Sequence, residues 1–349
     1  MLIKSTLAAV LFESYKPLEL VEIEFPEELT SGQVVVELIM SGVCGAQINE
    51  IDAVKGVDKF LPHLLGHEGL AKVIEVGPGV VKVTPGDQVV LHWRPSSGIN
   101  SSTPKYLFRG KQVNAGWVTT FNKHAIVSEN RITKVKATNL DPVIAPLLGC
   151  ALTTALGVLE NDAKFTHRDS LLIVGFGGVG ISIAKFAQFM NARKIVVIDT
   201  DPAKEELAKQ FGINDFILST NKDEVLKKIK ETFGDHGPTV AIDTSGHPLG
   251  IEICYEATSE IGRIVLVGVP RFENKVSIYT LPLHFGKSIT GSKGGGSIPD
   301  KDIPFILDLV SEGKLTMNDY PVSLFTFNEI NTGIEKLRNG TPGRVVIRF

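Results

Sequence analysis

The chain of 349 residues has few cysteines, no long apolar run and no excess of charge of either sign. Its three cysteines, Cys44, Cys150 and Cys254, are too sparse for a disulfide framework and favour a reducing compartment, so we expect a cytoplasmic protein. No apolar run approaches the ~20 residues that span a bilayer, and residues 7–12 lack the cleavage pattern of a signal peptide. The net charge of −3 gives no electrostatic reason to expect binding to nucleic acid or a membrane.

The composition is that of a globular protein, with 43% hydrophobic and 21% charged residues, and the length predicts two domains. Up to about residue 135, short apolar runs alternate with glycine and proline turns, which is typical of a compact antiparallel β-barrel. Between residues 152 and 292, strands alternate with helices, which predicts a doubly wound parallel sheet and places the chain in the α/β class. We therefore expect one domain from residues 1–151 with 293–349, and a second from residues 152–292.

The predicted elements after residue 152 are regularly spaced. Strands are predicted at 171–174, 195–198, 215–218, 240–243, 263–268 and 344–349, and helices at 179–190, 202–211, 222–232, 248–258, 300–312 and 328–338. The segment Val276–Tyr279, followed by Ser288–Thr290, has the pattern of an edge strand.

A glycine turn follows the apolar strand 171–174. Gly175, Gly177 and Gly180 have the G-x-G-x-x-G spacing that lets a backbone turn approach a pyrophosphate, with Gly178 and Val179 beginning the next helix. Asp199 ends the following strand, about 20 residues on, where a carboxylate binds the ribose hydroxyls and disfavours the 2′-phosphate of NADP. The combination predicts a site for NAD(H), and Thr244, Val267 and Val269, at the ends of two later strands, are expected beside it.

Two cysteines and a histidine lie among small neighbours. Cys44, His67 and Cys150 are the ligand types that zinc takes, and three protein ligands leave one position open for substrate. Glu68, beside His67, is a candidate for a fourth ligand or for a residue behind the metal. Spacing alone leaves the alternative open that these are ordinary packed side chains.

The order of these motifs resembles that of the medium-chain, zinc-dependent alcohol dehydrogenases over essentially the whole chain. The matching stretches are 42–45, 66–69, 86–87, Cys150, 174–180 and 343–349. The resemblance implies a GroES-like barrel, a Rossmann domain, and one catalytic zinc per chain held by Cys44, His67 and Cys150. It further implies that Arg344 contacts the cofactor pyrophosphate and that His92 and Trp93 line the substrate pocket.

The chain departs from this family in two places. The lobe that often carries four clustered cysteines has none here, so we expect no structural zinc and expect residues 94–116 to be ordered in another way or mobile. Nearer the chemistry, Ala46 stands where the family has a hydroxyl that takes the alcohol proton, and Asn49 replaces a frequent relay histidine. Gln47 replaces an aspartate, but it retains the ability to hydrogen-bond a zinc-ligand histidine.

The usual proton path is therefore missing, and four candidates replace it: Glu50, His92, Glu68 or water at the metal. For Glu50 the alternative is an exposed helix carboxylate, and for His92 it is an aromatic ring in the wall of the pocket. Ala46 is expected in the same pocket.

The sequence thus predicts a zinc- and NAD-dependent alcohol dehydrogenase, and the polar pocket residues favour a polyol or sugar-like substrate. One alternative is a zinc-dependent NAD(H) carbonyl reductase or isomerising enzyme with a non-standard proton path. Another is a non-catalytic NAD-binding homologue, which the presence of all three zinc-ligand candidates argues against. The edge strand predicts a homodimer or homotetramer.

Overall fold

The computed structural model describes residues 2–136 and 141–349, and the chain divides into two compact units. The first consists of Met1–Thr153 and Ile298–Phe349, and the second of Thr154–Ser297. The strands are β1 Ser5–Leu11, β2 Glu19–Glu24, β3 Gln33–Val43, β4 His63–Leu64, β5 Gly69–Val76, β6 Gln88–Leu91, β7 Tyr106–Phe108, β8 Lys111–Val113, β9 His124–Ser128, β10 Ile132–Lys134, β11 Ser170–Val174, β12 Lys194–Asp199, β13 Asp215–Leu218, β14 Val240–Asp243, β15 Arg263–Leu266, β16 Ser288–Gly291, β17 Val322–Thr326 and β18 Arg344–Arg348. The helices are α1 Gly45–Ile51, α2 Ala151–Gly157, α3 Gly178–Phe189, α4 Lys204–Gln210, α5 Lys222–Phe233, α6 Pro248–Ala257, α7 Pro299–Ser311 and α8 Ile330–Arg338.

The first unit contains two largely antiparallel sheets. One has the order β4-β1-β2-β7-β8, and the other has the order β10-β6-β5-β3-β18-β17, with β9 also paired to β3. Alternate residues of β1, Ala8 and Val10, pack with Val35 of β3 and Ile126 of β9 in one apolar core, because successive side chains of a strand point to opposite faces. The near-barrel arrangement confirms the predicted fold of this part of the chain.

The second unit is a parallel sheet with the order β13-β12-β11-β14-β15-β16. The central strand β11 is buried along its whole length, which explains its unbroken apolar sequence. The strand order reverses at β11 and β14, and the carboxyl ends of strands at such a reversal are where open α/β sheets bind ligands. The predicted Rossmann-type fold is confirmed. None of the described helices is long and apolar enough to cross a membrane.

One local prediction was wrong, and one strand was missed. Residues 276–279 form no strand: Ser277 N donates to the Glu252 carboxylate and Tyr279 O accepts from the Tyr255 hydroxyl, so side chains from α6 occupy backbone groups that a ladder needs. Of the two predicted parts, the second forms a strand, β16, at one edge of the sheet. The sequence reading also missed the strand β17, whose few residues carry too little periodicity to be recognised.

The segment 94–116 is ordered by two carboxylates from elsewhere in the first unit. Asp300, in the first turn of α7, accepts hydrogen bonds from Ser97 N at 3.0 Å, Thr133 Oγ1 at 2.7 Å and Lys82 Nζ at 2.8 Å. Glu129 accepts from Ile99 N at 2.8 Å and from two further backbone amides. The first part of this segment is therefore held by carboxylate hydrogen bonds, and its later part forms the paired strands β7 and β8.

We expect Asp300→Asn to lower the free energy of unfolding by about 1–3 kcal/mol at pH 7. Burial alone would raise the pKa of Asp300, but the hydrogen bonds from Lys82, Ser97 and Thr133 outweigh it and hold the pKa well below its usual range. A depressed pKa stabilises the folded state above the unfolded pKa of about 3.9 and loses that effect as the pH falls below it.

Urea unfolding at pH 7 and pH 3 measures this difference, which should shrink at the lower pH. Asp308→Asn, an exposed aspartate on the same helix, is the control and should leave stability within about 0.5 kcal/mol of the original. Equal stability of the Asp300→Asn and original proteins at pH 7 would contradict the expectation.

Candidate active site

Three potential metal ligands meet in the first unit. Cys44 precedes α1, His67 lies in the turn between β4 and β5, and Cys150 precedes α2. One ligand atom from each lies within 4.8 Å of the others. The glycines beside them permit this approach. A Cβ on Gly66, where φ is +85°, would lie 2.2 Å from Thr120 Oγ1, and one on Gly149 would lie 2.1 Å from Leu91 O.

The donor set fits zinc. His67 Nε2 is buried and has no hydrogen-bond partner among the described residues, and an unpaired buried nitrogen is unfavourable unless a ligand satisfies it. A hydrogen bond from the Cys150 thiol lowers the pKa of Cys44 well below its usual range, against burial and with help from the positive charge of Arg344. The same interaction raises the pKa of Cys150. The Cys44 thiol therefore loses its proton easily, whereas the Cys150 thiol keeps its proton. A nearby metal cation would displace both protons.

Gln47 fixes the orientation of His67. Its Oε1 accepts from Cys44 N at 2.9 Å, and its Nε2 lies 2.5 Å from His67 Nδ1. This is the contact that the sequence predicted. A half-turn of the amide presents its oxygen to Nδ1 instead, the arrangement that leaves Nε2 unprotonated for a metal.

Glu68 lies beside this group in a wholly buried position. Its Oε1 is 3.8 Å from Arg344 Nη1, and a Cβ on Gly42 would lie 2.5 Å from the same oxygen. Burial raises the pKa of Glu68, although Arg344 opposes the shift. Glu68 stays a candidate for the residue behind a metal. The contact of Arg344 with a cofactor also stays a prediction.

His92 is not available as a proton acceptor. The ring is fully buried, with Nδ1 2.7 Å from Arg94 O and Nε2 3.0 Å from Thr133 Oγ1. Burial lowers its pKa to about 4. Nδ1 therefore pairs within the segment that follows β6, and Nε2 pairs with β10. The predicted place of His92 in a substrate pocket stays a prediction.

A cavity of about 690 Å³ opens beside His67 within the first unit; we call it the His67 cavity. Its wall includes Gln47, Asn49, Glu50, His63, Trp117 and Thr119. Glu50 is half-buried, so the alternative of an exposed carboxylate was wrong. Ala46, His92 and Trp93 are not part of this wall. The sequence reading missed Trp117 and Thr119, which lie in a loop with no motif around them.

Comparisons with known proteins support the fold of both units. The family model of the alcohol dehydrogenase GroES-like domain matches residues 30–137, and that of the zinc-binding dehydrogenases matches residues 178–312. The S-(hydroxymethyl)glutathione dehydrogenase of Escherichia coli O1:K1 / APEC is 28% identical over 371 aligned residues, which cover 98% of this chain and 99% of the relative. The crystal structure of benzyl alcohol dehydrogenase from Acinetobacter calcoaceticus is 27% identical with a TM-score of 0.87, covering 99% of this chain and 100% of that one.

The chain belongs to the medium-chain zinc-dependent alcohol dehydrogenase family. The family indicates an oxidoreductase that acts on CH–OH groups. An alcohol dehydrogenase zinc-binding domain protein from Burkholderia ambifaria, 24% identical with a TM-score of 0.89 over 99% of both chains, shows the same fold.

In this dehydrogenase the glycine turn between β11 and α3 is shaped by its neighbours. Gly175 has φ of +94°, and a Cβ on Gly180 would lie 2.1 Å from Gly175 O. A Cβ on Gly177 would meet nothing within 4 Å. Gly180 therefore allows α3 to pack on β11, whereas Gly177 leaves open space at the amino end of the helix, where backbone N–H groups favour an anion. This geometry fits a dinucleotide pyrophosphate.

Asp199 lies at the carboxyl end of β12 next to this turn. Its Oδ2 accepts from Phe176 N at 2.6 Å and lies 3.0 Å from Lys204 Nζ. Lys204 is a residue that the sequence reading missed, because nothing in its surroundings marks it apart from its position just after Asp199. Thr244 Oγ1 donates to Gly175 O at 2.7 Å, so Thr244 shapes the turn. Val267 and Val269 stay predicted cofactor neighbours.

Proposed function

We propose that this chain is an NAD-dependent alcohol dehydrogenase with one catalytic zinc held by Cys44, His67 and Cys150. The observation that carries the proposal is the convergence of the two sulfurs and the unpaired His67 Nε2. A zinc ion there supplies Lewis acidity toward the alcohol oxygen of the substrate. NAD, held at the turn around Gly177, supplies the hydride acceptor.

Residues around the proposed zinc site orient its ligands and balance its charge. Gln47 holds the His67 ring through its amide. The Glu68–Arg344 pair places one negative and one positive charge behind the sulfurs, which limits the net charge buried there. Ala46 offers no hydroxyl, so the proton leaves by another route than the one usual in this family.

We propose a hydroxylated substrate such as a polyol or a sugar-like alcohol, because the wall of the His67 cavity carries amide, carboxyl and hydroxyl groups among its apolar residues. The names of two relatives give S-(hydroxymethyl)glutathione and benzyl alcohol as their substrates, and these two compounds therefore belong in any substrate panel.

We also propose a cytoplasmic homo-oligomer that pairs through β16, an exposed edge of the sheet. Light scattering that gives the mass of one chain would overturn the oligomer.

The test combines metal analysis with a substrate panel. We expect one zinc per chain by mass spectrometry and NADH absorbance at 340 nm when NAD is supplied with polyols. Absence of zinc would overturn the enzyme assignment. Reduction of carbonyls by NADH without oxidation of any alcohol in the panel would replace it with a reductase.

A further inference from the structure

Three polar side chains in the wall of the His67 cavity have no partner among the described residues. The Glu50 carboxylate and the Asn49 amide make no side-chain hydrogen bond or ion pair there. Thr119 is only 2% exposed, and its Oγ1 is a buried oxygen without a hydrogen-bond partner. Glu50 and Asn49 are half-buried in the wall. Buried polar groups are ordinarily paired, so the unpaired Thr119 hydroxyl indicates that a ligand completes it.

Several other polar residues of the same wall are already paired. His63 Nε2 lies 2.7 Å from Asp58 Oδ2, and Asn114 Nδ2 donates to Phe60 O at 2.7 Å. Gln47 is engaged with His67. Three further polar residues of the wall have no partner among the described residues, but all three are exposed to solvent: Lys55, Lys59 and Thr103. Glu50, Asn49 and Thr119 differ from them because they are at least half-buried.

The chemistry of the subset points to hydroxyl groups. A carboxylate accepts hydrogen bonds and donates none, an amide does both, and a threonine hydroxyl does both. Burial raises the pKa of Glu50, while His67, His63 and Lys55 lower it, so a positively charged ligand would meet three groups that repel it in their charged forms. A neutral ligand with several O–H groups satisfies all three side chains and adds no charge.

We propose that Glu50, with Asn49 and Thr119, binds the hydroxyl group next to the reacting one and so selects vicinal diols and polyols over simple alcohols. This inference rests on the proposed function, because it places the reacting hydroxyl near His67. One oxygen of the carboxylate can accept a hydrogen bond from the neighbouring hydroxyl, and the other is left for a further hydroxyl of a polyol. A simple alcohol leaves the carboxylate unpaired, and a site built to hydrogen-bond a hydroxyl rejects the analogue that lacks it.

The experiment compares hexan-1-ol with hexane-1,2-diol in the zinc-loaded enzyme at saturating NAD. We expect Glu50→Leu to lower the ratio of kcat/KM for the diol to kcat/KM for hexan-1-ol by about 10–100-fold, mainly through KM for the diol. Glu50→Gln, which keeps one carbonyl oxygen, should lie between. Thr119→Val, which is nearly isosteric, should lower the diol value by several-fold. Lys59→Gln, a charge change in the same wall, is the matched control and should leave the ratio unchanged.

An unchanged ratio of the two kcat/KM values would overturn the inference. If both values fall equally, Glu50 acts at the reacting hydroxyl or its proton. A binding readout separates this result from failure of the proposed function. Trp117 lies in the cavity wall and is one of two tryptophans, so its fluorescence should respond to a hexitol without NAD, and Glu50→Leu should weaken that response. If no alcohol is oxidised but this difference is seen, the hydroxyl site stands and the dehydrogenase assignment falls.

Discussion

Replacing Cys150 by alanine is expected to remove the bound zinc and to lower kcat/KM for alcohol oxidation by at least about 10³-fold. Cys150 supplies one of three ligand atoms that lie within 4.8 Å of one another. Loss of one thiolate leaves a sulfur and an imidazole, which cannot complete a tetrahedral site. The Lewis acidity toward the alcohol oxygen is lost with the metal.

The matched control for this prediction is Cys254→Ala. Cys254 is fully buried in the apolar core of the second unit and is not part of the ligand group. Its replacement should cost about 1 kcal/mol of stability and keep one zinc per chain. The two variants carry the same chemical change, so zinc content by mass spectrometry and initial NADH rates separate metal binding from a general loss of a thiol. A Cys150→Ala enzyme with full zinc and activity would contradict the ligand assignment.

Gly177→Ala is expected to raise the Kd for NAD by about 10–100-fold while leaving the melting temperature within about 2 °C. Gly177 has φ of −89° and ψ of −167°, which alanine adopts without strain. Its Cβ would enter open space, where the pyrophosphate is expected to contact the backbone. The added methyl therefore opposes the ligand and leaves the fold unaffected.

Gly180→Ala supplies the contrast three residues later in the same turn. Its Cβ would lie 2.1 Å from Gly175 O, so α3 must move away from β11. We expect a lower melting temperature by several degrees together with weaker NAD binding. Calorimetric NAD titration and thermal unfolding distinguish the two variants. Equal NAD affinity for Gly177→Ala and the original chain would show that the cofactor does not approach this glycine.

The site could be read from the sequence where the chemistry depends on local spacing. The glycine turn is one such case, because its strand, turn and helix are consecutive and the steric need for glycine is local. The three zinc-ligand candidates are another, although they come from distant parts of the chain. There the order of motifs and the resemblance to a family supplied what spacing alone does not.

His92 and Glu50 have surroundings that the sequence did not predict. A histidine after a buried strand can face a pocket or a neighbouring strand, and only the pairing of β6 with β10 placed the His92 ring against Thr133. For Glu50 the sequence left two readings open, a proton acceptor and an exposed helix carboxylate, and the chain around residues 55–60 and 114–119 then places it in a cavity wall. Both outcomes depend on contacts between segments distant in sequence, which periodicity does not encode.

By itself, the sequence determined the two fold classes, the glycine turn of nucleotide-binding type and the candidates for metal ligands. These follow from hydrophobic period, from glycine positions and from ligand chemistry, all properties of short stretches. Only the tertiary structure decided which polar groups are already paired and which are left for a ligand. That distinction separates Asp58, paired with His63, from Glu50 in the same wall, because hydrogen-bond satisfaction depends on what the whole fold brings next to each side chain.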